Sequence, residues 1–124
     1  MKALLLIFLG GGAGSAFRFL ISKFFYINKG GFPWATLVAN FIGCLLIGFL
    51  VGWALKNDSL RSDVYLFSVI GFCGGLTTFS TFSMENMIFL RSGDYSSFIG
   101  YTLFSFIGGL VFVFAGHSLF KFLA

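Results

Sequence analysis

The chemistry in this chain is concentrated in one short stretch, Gly74-Gly75-Leu76-Thr77-Thr78-Phe79-Ser80-Thr81-Phe82-Ser83. Glycines and hydroxyl-bearing residues are mediocre helix formers, because the first carry excess backbone freedom and the second offer the backbone competing hydrogen bonds. Set in a long apolar run, they predict a helix interrupted midway. Inside a membrane an interruption frees carbonyls that can hold a cation and N–H groups that favour an anion, where protein or a watery cavity shields them. Phe79 and Phe82, three apart, share a face of the helix that resumes. The edge of an aromatic ring carries partial positive charge. Ring rims alternating with hydroxyl or amide donors can therefore replace part of an anion's water shell and still release it. Such a pair of rings can equally face a core or lipid.

Three more polar residues stand inside apolar runs, where they are expensive. Asn40 lies between Thr36 and Gly43, about 6 Å from the middle of its run at the helical rise. Its amide offers two N–H donors and an acceptor, which suits interhelical bonding or contact with a ligand. Arg18 falls about 6 Å past the middle of its run. Its side chain can snorkel to the interface, form a structural pair or act directly. Glu85 is the one acid in an apolar run. It is roughly 12 Å from the middle, near a headgroup region if the helix is regular.

Long apolar helices must hold these residues, and the composition supplies them. Of 124 residues, 58% are apolar and 10% charged, with 20 Phe, 17 Gly and a single Pro. Soluble domains carry about 25% charged residues, so a water-soluble fold is excluded. A membrane helix takes about 20 mostly apolar residues, and the runs at about 3–25, 33–55, 64–90 and 97–120 qualify. The prediction is one all-α integral membrane domain, 1–124, with short connectors and no extramembrane domain. Four helices enclose little space, so function requires a partner subunit. The start, with apolar residues 3–9 before Gly14-Ser15-Ala16, also has the shape of a signal peptide. The apolar character resumes from Phe17 to Phe24, however, which makes the run long enough to span.

Gly10, Gly11, Gly12 and Gly14 in the first run, with Gly43, Gly48 and Gly52 in the second, read as close helix packing. No Gly-Lys-Ser/Thr follows them, so no nucleotide is expected. With four spans, Lys2, Lys56, Arg61 and Lys121 share one side, while Lys23, Lys29 and Arg91 lie on the other. This imbalance is too small to fix orientation. Insertion both ways would let two copies pair upside down, as internal repeats do in many transporters. Otherwise one side prevails by a small margin.

The remaining reactive residue types point nowhere. The eight basic residues are scattered singly between apolar runs, so no nucleic-acid partner is expected. Cys44 and Cys73 lie in different spans without metal-ligand spacing, and His117 stands alone. No nucleophile with a base and an orienting group is present, so catalysis is not expected.

Taken together, Gly10-Gly11-Gly12-Ala13-Gly14-Ser15-Ala16-Phe17-Arg18, Thr36-Leu37-Val38-Ala39-Asn40 with Gly43, and the 74–83 stretch with Glu85 resemble the CrcB/Fluc family of fluoride channels over essentially the full chain. The third motif is the most specific. The resemblance implies four-span subunits joined as antiparallel, dual-topology homodimers with two anion pores, in the bacterial plasma (inner) membrane. Their role would be passive fluoride export, which lowers its toxicity. It implies that Asn40 is a pore-lining donor, that Phe79 and Phe82 turn their ring edges to the ion, and that Tyr101 and Ser105 form a polar track on span four. It further implies that carbonyls of Gly74 and Thr77 from both subunits hold a structural sodium ion, and that Arg18 is vestibular or structural.

Two rivals remain at this stage. A small dual-topology antiporter, exchanging protons for a cation or drug, needs a membrane-embedded carboxylate, for which only Glu85 is available. A non-transporting assembly subunit would explain the glycines but leave the hydroxyl cluster and Asn40 without a use.

Overall fold

The computed structural model describes residues 1–25 and 31–124. Part of the first connector, including Lys29, lies outside the described residues. The chain folds as α1 (Lys2–Phe25), α2 (Trp34–Lys56), α3 (Asp63–Tyr65), a π-helical segment (Leu66–Cys73), α4 (Gly74–Leu76), α5 (Phe79–Ser92) and α6 (Tyr95–Leu123). Among the described residues, four helical stretches are long and apolar enough to cross a membrane: Lys2–Phe25, Trp34–Lys56, Asp63–Ser92 and Tyr95–Leu123. The third is the least apolar, with a mean hydropathy of 1.4, because it carries the hydroxyl-rich motif.

That third span breaks where the residue types said it would. Thr77 (φ −81°, ψ 153°) and Thr78 (φ −150°, ψ 119°) are extended, a conformation that two β-branched side chains adopt readily. The Thr78 hydroxyl then accepts the Thr81 N–H at 3.2 Å and starts α5 as its N-cap. At the far end Gly93, with φ 77°, closes α5 in the left-handed region, and its N–H returns to Leu90. Asp94 then caps α6 by accepting the Ser97 N–H. Hydrogen bonds from Ser97 hold its carboxyl below the usual carboxylate range.

Packing is backbone against backbone at the glycines. A Cβ on Gly10 would strike the Phe67 carbonyl, and one on Gly14 the Phe72 carbonyl. Gly71 and Gly75 return the fit, facing Gly10 and Gly11 on α1. The same device joins α2 to α6, where Gly48 meets the Val113 carbonyl and Gly116 the Leu45 carbonyl. A Cβ on Gly12 would meet nothing within 4 Å, so close packing within the chain does not require glycine there.

Two small cores flank the break. Ile21, Ala39 and Leu76 form the one before it, and Leu37, Phe82, Phe89 and Tyr101 the one after it. Lys2 pairs with Asp63, and the Lys56 ammonium donates to the Ala124 carbonyl at 3.2 Å. The starts of α1 and α3 thus share one end of the bundle with the ends of α2 and α6. The π-helical winding of residues 66–73 was not expected. Nothing in those residue types announces it, although such windings recur near functional sites.

Candidate functional site

Extending residues 77 and 78 strips several backbone groups of their helical partners, and the neighbouring helices supply replacements. The Thr78 N–H, which in a continuing helix would return to the Gly74 carbonyl, is accepted by Asn40 Oδ1 at 2.7 Å. Asn40 Nδ2 donates back to the Thr78 carbonyl at 3.3 Å. From α1, Arg18 Nη1 donates to the Thr77 carbonyl at 3.3 Å, and the Ser15 hydroxyl to the Gly75 carbonyl at 3.4 Å. A cation and an amide in apolar helices are thus explained first as partners for a broken backbone, which must be satisfied where water is excluded. Sequence reasoning singled out Arg18 and Asn40 without seeing that they serve the same break, and it gave Ser15 no role.

Two cavities border Thr78. The first, about 290 Å³, is walled mainly by Asn40, Phe41, Cys44, Phe79, Phe82 and Ser105. The second, about 300 Å³, is lined by Arg18 with Ser15, Ser22, Thr36, Thr78 and Thr81. The first is mostly apolar, with Asn40, Thr77, Thr78 and Ser105 as its polar points, and the second is hydroxyl-lined with a guanidinium. Asn40 keeps an N–H beyond the bond it gives to Thr78.

Both rings line the first cavity, and Phe82 also packs on Tyr101 behind it. Phe79 and Phe82 lie 5.7 Å apart between centroids. Phe79 is 72% exposed on the single chain, whereas Phe82 is buried. Phe82 continues the row to Tyr101 at 5.1 Å, and Tyr101 is completely buried. Ser105, one turn further along α6, has its hydroxyl buried without a hydrogen-bond partner among the described residues. Leaving such a group unpaired costs about 1–3 kcal/mol, unless something occupies the wall it faces.

Glu85 completes the row. Thr36 donates to its Oε1 at 2.7 Å and Tyr101 to its Oε2 at 2.7 Å, so a half-buried carboxylate ties α2, α5 and α6 together. The sequence reading placed Glu85 by depth alone and named no partner for it. A signal was present. Glu85 lies three residues after Phe82, while Thr36 and Tyr101 lie four before Asn40 and Ser105, so each shares a helix face with a residue already singled out. Elsewhere, Cys44 and Cys73 carry free thiols, and His117 packs against Gly52.

The fold and site define a small multi-pass membrane protein. Its broken span borders two cavities lined by hydroxyl, amide and guanidinium groups and by the Phe79 and Phe82 rings. The chain belongs to the family described as CrcB-like protein, Camphor Resistance (CrcB), whose profile matches residues 5–117. It is 46% identical over 114 residues to a protein of Phocaeicola vulgatus named fluoride-specific ion channel FluC, covering 90% of this chain and 92% of the relative. A protein of the same name from Azobacteroides pseudotrichonymphae is 43% identical over 110 residues, 88% of each chain. Another, from Leptospira interrogans, is 43% identical over 113 residues, covering 90% of this chain and 88% of the relative.

Proposed function

We propose that this chain is a passive, fluoride-selective channel of the bacterial plasma membrane that lets fluoride leave the cytoplasm. Its relatives are named fluoride-specific ion channel FluC. The observation that carries the reading is the unpaired Ser105 hydroxyl beside Asn40, Phe79 and Phe82 on one cavity wall. Fluoride is small and strongly hydrated, so a path for it must offer hydrogen donors in place of water. Hydroxyl, amide and ring edge do so weakly enough that the ion is passed on. Beyond Phe82 the Tyr101–Glu85–Thr36 group bounds the path, and Arg18 gives the hydroxyl-lined cavity a positive charge that draws anions in.

The functional unit in this reading is a homodimer of inverted copies, each completing the other's open cavity. The exposure of Phe79 supports it, since a ring with a role in the path needs a wall opposite. So does the near-even distribution of lysine and arginine between the two sides, four against three. A structural sodium ion fits the break as well. The Gly74 carbonyl has lost its helical partner to Asn40, and the Thr77 carbonyl keeps a lone pair beyond the one Arg18 uses. Carbonyls of Gly74 and Thr77 from both copies would hold the ion, which supplies a fixed positive charge beside the anion path.

The antiporter reading is not favoured. Glu85 already accepts a hydrogen bond on each oxygen, and the relatives are named as channels.

Reconstituted protein is expected to dissipate a fluoride gradient in liposomes with little chloride flux. Equal chloride flux defeats the selectivity. Phe82→Ile is expected to slow the efflux in protein that still elutes as the dimer, because an aliphatic side chain has no positive edge. Unchanged efflux removes that ring from the path.

A further inference from the structure

Thr36, Thr78 and Asn86 are buried polar residues of this chain. The first two belong to the site already described, and Asn86 does not. It is 7% exposed on α5, where its Oδ1 accepts the Thr102 hydroxyl of α6 at 3.2 Å. Tyr101→Glu85 and Thr102→Asn86 join consecutive residues of the same two helices, so α5 is pinned to α6 at two adjacent points.

The second pin has a mechanical reason. α5 carries both rings and the carboxylate, yet the extended residues Thr77 and Thr78 uncouple it from the rest of its own span. What remains between α5 and α6 is largely ring packing, with Phe82 and Phe89 lying 5.1 and 6.1 Å from Tyr101. Ring contacts at such distances tolerate sliding and rotation. In lipid, moreover, no hydrophobic drive penalises an alternative helix face. A directional hydrogen bond does penalise it. Asn86 lies four residues after Phe82 and three before Phe89, on the ring face of α5. A rotation that breaks its bond to Thr102 therefore also turns Phe82 and Glu85 away from Tyr101.

We infer that Asn86 and Thr102 are positioning residues that lock the rotation of α5 on α6 and hold Phe82 and Glu85 against Tyr101. This rests on the fluoride-path reading for its functional consequence, though not for the lock itself.

The test uses the full chain at less than one dimer per liposome, with a fluoride electrode reading the rate per active vesicle apart from the fraction of active vesicles. Thr102→Val removes the hydroxyl with little change of shape, and Thr102→Ser keeps it. Thr102→Val and Asn86→Leu are expected to lower the per-vesicle rate about three- to tenfold, the population shift one hydrogen bond commands. Thr102→Ser should stay within about twofold, and the double variant Asn86→Leu/Thr102→Val should be no worse than the slower single one, since both remove one bond. A normal per-vesicle rate with fewer active vesicles overturns the proposal in favour of a folding role. A second measurement is independent of transport. A para-fluorophenylalanine at position 82 reports ring position by fluorine NMR, and its resonance is expected to shift or split in Thr102→Val and hold in Thr102→Ser. An unmoved resonance in Thr102→Val overturns the lock. If the unsubstituted chain passes no fluoride while the resonance behaves as expected, the channel reading fails and the lock stands.

Discussion

Ser105 and Asn40 differ in a way that separates holding the protein together from working on an ion. Asn40 Oδ1 replaces the helical partner that the break took from the Thr78 N–H, and its Nδ2 adds a bond to the Thr78 carbonyl, so any change there damages structure and path together. Among the described residues the Ser105 hydroxyl has no hydrogen-bond partner, and its burial is a standing cost. Ser105→Ala is therefore expected to leave thermal stability in detergent unchanged or to raise it by up to about 1–3 kcal/mol. Fluoride efflux should nevertheless fall, and a nephelometric melting curve beside an electrode trace reads both. A variant that melts lower with undiminished efflux would make Ser105 a structural residue with an unseen partner. The polar and aromatic candidates were legible in the sequence because apolar surroundings make a lone Asn or Arg conspicuous. Their partners were not. The Arg18 to Thr77 bond spans 59 residues, and the Glu85 bond to Thr36 spans 49, separations at which spacing along one helix is silent.

At the scale of elements, glycine position decides how closely α1 and the third span approach. A Cβ at Gly14 would run into the Phe72 carbonyl and crowd the Leu76 N–H at 2.8 Å, groups of backbone that cannot turn aside. Gly14→Ala is thus expected to force the helices apart and destabilise by about 1–3 kcal/mol, the usual cost of overfilling a packed contact. At Gly12, where a Cβ meets nothing, alanine should be neutral or mildly stabilising, since glycine is the poorer helix former. Thermal unfolding of the two variants side by side checks this, and equal losses would show that helix propensity rather than approach sets the outcome. The four apolar stretches and the site of the break could be read in advance because each depends on local composition. Which glycine faces a carbonyl depends on the rotation of one helix against another. The π-helical winding of residues 66–73 sits against Gly10 and Gly14, so it belongs to that same long-range fit and has no local signature.

For the whole molecule the decisive quantity is the balance of charge across the membrane. Counted along the sequence with four spans, the side of Lys2, Lys56, Arg61 and Lys121 carries one more basic residue than the side of Lys23, Lys29 and Arg91. Two of the former group are already engaged, Lys2 with Asp63 and Lys56 with the Ala124 carbonyl. Topology responds to lysine and arginine near span ends rather than to net charge, so two added lysines in the short second connector should outweigh so small a bias. Asn57→Lys with Ser59→Lys places both on exposed or partly exposed residues of that connector, away from either cavity. The expected outcome is a chain that inserts one way, reads as single-sided by thiol labelling of cysteines placed in the connectors, and loses fluoride efflux for lack of an inverted partner. Co-expression with a chain biased oppositely, by lysines at Ser96 and Tyr95 beside Arg91, should restore efflux. A singly oriented chain that still conducts at the original rate would mean that parallel copies, or one copy alone, build the path, and the inverted dimer would have to be given up while the ring and hydroxyl chemistry survived.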